Sequence, residues 1–103
     1  MQITLLIDGD NKTFTNDFIK ARVFRNALKL NEQMSKEGNK ISVKTFDEMV
    51  GFIVTVFDNQ FTIDDFYDGV SSGELQPEIM RVFNGVLNAG GLETTPSTDE
   101  EGK

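Results

Sequence analysis

Between Thr45 and Phe57 the chain reads Thr-Phe-Asp-Glu-Met-Val-Gly-Phe-Ile-Val-Thr-Val-Phe, apolar at nearly every position beyond the first turn. At roughly 100° per residue, Phe46, Met49, Val50, Ile53, Val54, Val56 and Phe57 fall within a sector of roughly 160°, and Phe52 widens it. Such a surface needs neighbours on several sides. The pattern predicts a central helix over residues 45–58, opened by Thr45 and Glu48 as a Thr-x-x-Glu capping box in which each side chain satisfies an unpaired amide of the first turn. A strand is the rival reading, since Val, Ile and Phe favour strands, but the run is long for one and carries a helix-start signal. Gly51 falls on the polar flank of this helix, where it leaves room for another backbone at a cost of about 1 kcal/mol relative to Ala.

Upstream, Gln2 to Ile7 is rich in β-forming residues, Asp8-Gly9-Asp10-Asn11 supplies turn residues, and Lys12-Thr13-Phe14 can return as a second strand. This predicts a hairpin whose apolar face, Ile3, Leu5 and Ile7, must rest on helices, because a lone hairpin is marginal in water. Thr15-Asn16-Asp17 offers cap residues for a helix from about Phe18 to about Ser35. Ile19, Val23, Ala27, Leu30 and Met34 form its buried stripe, widened by Phe24 and Leu28. Gly38 is the expected C-cap before the polar loop that leads to the central helix.

After Asp58-Asn59-Gln60, Thr62 caps a short helix that ends near Gly69. Phe61 and Phe66 stand at its hydrophobic-staple positions, and Asp64 and Asp65 lie at the positive end of its dipole. Pro77 fits the first turn of a last helix carrying Ile79, Met80, Val82, Phe83, Val86 and Leu87. From Leu92 onward the chain holds too little apolar surface to offset the entropy of ordering, which predicts a disordered acidic C-terminal tail. The expected architecture is mainly α with α+β character. It is an N-terminal β-hairpin followed by a small bundle of about four helices around helix 45–58, with a single folded domain at 1–91 and a tail at 92–103.

Composition narrows the function. The chain has 103 residues, no Cys and no His, and a net charge of −7. Disulfides, thiolate chemistry and zinc ribbons are excluded, and the commonest general base is missing. A net charge of this sign argues against a nucleic-acid partner. No stretch approaches the roughly 20 apolar residues of a membrane span, and no signal-peptide pattern opens the chain, so a cytoplasmic protein is expected.

The charge is also unevenly spread: residues 1–44 carry +3, residues 45–90 carry −7 and residues 91–103 carry −3. Either the two halves pair within one fold, or the basic side of one copy meets the acidic side of the next, making a homo-oligomer. Arg22, Arg25 and Lys29 recur at i, i+3, i+7 along one helix face. They form either a solvated face or a docking stripe for an acidic partner. With Phe52 at the margin of the central apolar sector, they are the candidate partner-binding residues.

Catalytic and metal readings find little support. Asp8, Asp10 and Asn11 superficially resemble a calcium loop but lack the later Gly and terminal Glu of an EF-hand. Asp64, Asp65 and Asp68 are the densest acid cluster, yet their place at a helix start makes them capping and dipole residues before general acids or bases. No Walker loop, dinucleotide fingerprint or nucleophile elbow is present. Neither a cofactor nor a metal is expected.

Three blocks, Ala21-Arg22-Val23-Phe24-Arg25-Asn26-Ala27-Leu28, the helix from Phe46 to Phe57, and Asn59-Gln60-Phe61-Thr62-Ile63-Asp64-Asp65-Phe66, join the short hairpin in a resemblance to a known family. The chain resembles the tail assembly chaperones of long-tailed bacteriophages, in particular those of phages and prophages of Gram-positive hosts. The last block is the most specific. The resemblance covers the folded region and implies a non-catalytic protein of the host cytoplasm. Such a protein binds the tape measure protein, keeps its long helical hydrophobic chain soluble, recruits tail tube subunits, and leaves before the tail is finished. A small acidic binding adaptor, such as a host-takeover inhibitor, is the alternative class.

Overall fold

A computed structural model describes residues 1–38 and 41–89. Two antiparallel strands, β1 (Gln2–Ile7) and β2 (Asp10–Thr15), precede four helices: α1 (Ala21–Glu37), α2 (Val43–Val56), α3 (Ile63–Gly69) and α4 (Leu75–Ala89). The hairpin-plus-four-helix architecture read from the sequence is therefore the observed one. The expected tail at 92–103 and the domain limit at 91 lie outside the described residues.

The hairpin turn is tighter than the four-residue turn expected from Asp8 to Asn11. Register pairs Ile7 with Asp10 and Leu6 with Asn11, so only Asp8 and Gly9 form the turn. Both have positive φ, 53° and 83°, the conformation of a two-residue turn whose twist matches that of the flanking strands. Alternation then sends Ile3 and Leu5 to the buried face, with Ile7 partly buried. That face rests on α3. The approach is close enough that a Cβ on Gly69 would stand 2.9 Å from the Leu6 carbonyl oxygen.

Helix α2 is the centre of the bundle, packed against α1, α3 and α4. Met49, Val50, Ile53, Val56 and Phe57 are essentially inaccessible to solvent, whereas Phe46 is only half-buried. Aromatic rings tie the other elements to it: Phe57 and Phe14 each flank Phe61, with centroids 5.8 and 5.0 Å away, and Phe52 meets Phe83 of α4 edge-on at 6.0 Å. Phe61 and Phe66, at the staple positions of α3, are both buried.

Two helix starts, those of α1 and α2, differ from the expected ones, and in each an expected cap residue bonds to a distant partner, whereas the first turn of α4 holds Pro77 as expected. Helix α1 begins three residues later than expected, after Lys20, which makes no side-chain cap bond. Asn16, one of the three expected cap residues, instead donates its carboxamide to the Val56 carbonyl at 2.8 Å and accepts from the Phe18 amide. It thereby caps the far end of α2, linking the hairpin to a helix C-terminus that has carbonyls to satisfy. Helix α2 starts two residues before Thr45, with Ser42 as N-cap accepting from the Thr45 amide. The Thr45–Glu48 capping box does not form. Helix α4 starts at Leu75, which leaves Pro77 inside its first turn, where a missing amide costs nothing.

Helix α2 ends at Val56, two residues before the expected limit at 58, where Asp58 and Asn59 take positive φ of 61° and 59°; the other ends match expectation. Gly38, with φ of 70°, sends its amide to the Met34 carbonyl and closes α1. Thr62 caps α3 and forms a reciprocal capping box with Asp65.

Candidate partner-binding groove

A groove of about 340 Å³ lies between α1 and α2, with Lys29, Leu30 and Gln33 on one wall and Glu48, Gly51 and Phe52 on the other. Its geometry follows from helical spacing. Residues 26, 29, 30 and 33 share one flank of α1, and residues 48, 51, 52 and 55 share one face of α2. Its lining is mixed: Leu30 and Phe52 are apolar and buried, with Phe52 backed by Phe83 of α4, whereas Asn26, Lys29, Gln33, Glu48 and Thr55 are polar. The rims carry opposite charges, Lys29 from α1 and Glu48 from α2.

One end of the groove is tied by a polar network. Gln33 Nε2 donates to Thr45 Oγ1 at 3.0 Å and to Glu48 Oε1 at 2.7 Å. Thr45, wholly buried, donates its hydroxyl to Glu37 Oε2, while Glu37 Oε1 accepts the Ser42 amide at 2.9 Å. These bonds, that of Thr45 foremost, hold the Glu37 carboxyl below its ordinary range. The network fixes the C-terminal turn of α1 against the N-terminal turn of α2. On the far side of α2, the Tyr67 hydroxyl of α3 donates to Asp47 at 2.7 Å, and burial, aided by that carboxylate, pushes the phenol up to about 12.

The candidate residues divide. Phe52 and Lys29 line the groove together, whereas Arg22 and Arg25 are exposed on α1 and do not line it. None of the three basic side chains enters a salt bridge among the described residues. Glu48, read from the sequence as a capping-box residue, and Gln33, not singled out there, are groove residues, as is Gly51, which was placed on the polar flank of α2. Their spacing along each helix was visible; that these flanks of α1 and α2 would face each other was not. The acidic cluster disperses: Asp65 serves the α3 capping box, while Asp64 and Asp68 are exposed. No group of three or more His, Cys, Asp or Glu side chains among the described residues is placed to hold a metal ion. No described helix is long and apolar enough to cross a membrane.

A family model described as phage tail chaperone protein matches residues 1–103. The chain belongs to the phage tail chaperone family. No curated protein and no solved structure matches it. Membership gives the protein a tail assembly chaperone role, and with it an interaction with tail proteins.

Proposed function

We propose that this tail chaperone is a non-catalytic holdase for the tape measure protein. It keeps that long helical hydrophobic chain soluble in the host bacterial cytoplasm, helps recruit tail tube protein, and is not retained in the mature virion. The observation that carries this reading is the groove between α1 and α2, in which Leu30 and Phe52 lie between Lys29 and Glu48. Phe52 and Lys29 contact the bound chain. Arg22 and Arg25, exposed and without a salt bridge among the described residues, guide acidic segments of the tape measure or the acidic half of a second copy. Coexpression with the tape measure protein of the same phage tests the reading. The tape measure is expected in the soluble fraction, bound to the chaperone. A tape measure that stays insoluble, with the small protein instead capturing a single host enzyme, would overturn the holdase and favour an adaptor or inhibitor.

A further inference from the structure

No further inference is drawn: the strongest candidate, the hollow of about 310 Å³ between the start of α1 and the end of α4, lined by Ile19, Ala21, Phe24, Val86 and Ala89 next in the chain to the exposed Phe18, is an unpartnered apolar face, and nothing in the structure shows what covers it.

Discussion

Single residues in this protein are often claimed by partners far along the chain. Asn16 is an excellent local cap, but the carbonyl of Val56, forty residues away, takes its carboxamide instead. Gly69 ends α3 as its position suggests, but its larger role is to admit the backbone of β1. Gly69→Ala should therefore do more than change a helix end: overpacking against the Leu6 carbonyl is expected to cost about 1–3 kcal/mol. In a domain of this size each kcal/mol lowers the melting temperature by roughly 4–8 °C, and an unchanged melt would show that β1 and α3 separate easily. Glu37 gives a pH prediction. Its carboxyl is held below the ordinary value of 4.5 in the fold, so the unfolded chain binds its proton more readily. Stability from Glu37 is then present above that value and lost as pH falls through the lower folded value. Wild type should lose melting temperature on acidification below about pH 4.5 more steeply than Glu37→Gln, as scanning fluorimetry across pH 3–6 would show.

At the scale of elements, the 3.6-residue and two-residue periods did most of the specifying. The stripe Val23, Ala27, Leu30 is buried as its spacing requires, and Leu28, at its edge, is more than one-third exposed. α2 is apolar over so wide a sector because α1, α3 and α4 all cover it. Ile53 lies wholly inside that contact. Ile53→Asp places an unpaired charge there and should cost several kcal/mol, comparable with the whole stability of a small domain. The expected product is an unfolded or insoluble protein without a cooperative melt, and a soluble, cooperatively melting variant would refute the central position of α2.

For the molecule as a whole, charge and chain limits matter more than any one contact. Residues 92–103 contain Leu92 as their one large apolar residue, so deleting them is expected to leave the melting temperature nearly unchanged. A fall of more than about 5 °C, roughly 1 kcal/mol, would place part of that segment on the fold. Arg22, Arg25 and Lys29 form a positive surface on an otherwise acidic protein. Changing all three to Glu should leave folding intact, since exposed charges contribute about 0–1 kcal/mol each. It should abolish the salt-sensitive part of tape measure binding or of self-association, because exposed charges beyond about 8 Å are screened at physiological ionic strength. Binding and assembly equal to wild type at low salt would reduce the stripe to a solvated face.

The order and type of every described element, most core positions and the staple of α3 were legible in the sequence, because periodicity and local turn chemistry are properties of neighbouring residues. The candidate site was legible only in part. Phe52 and Lys29 could be singled out one at a time as an apolar margin and a basic stripe, but nothing local says that they face each other. The Thr45–Glu48 motif shows the limit most clearly. As a string it is a capping box; in the fold Ser42 caps α2 equally well, which releases Thr45 to Glu37 and Glu48 to Gln33 and turns a local motif into the clasp of a groove. Thr45 and Glu48 each had a local partner available as well as the distant one they take. Only the packing of α1 on α2, driven by burial of side chains far apart in the chain, decided between them.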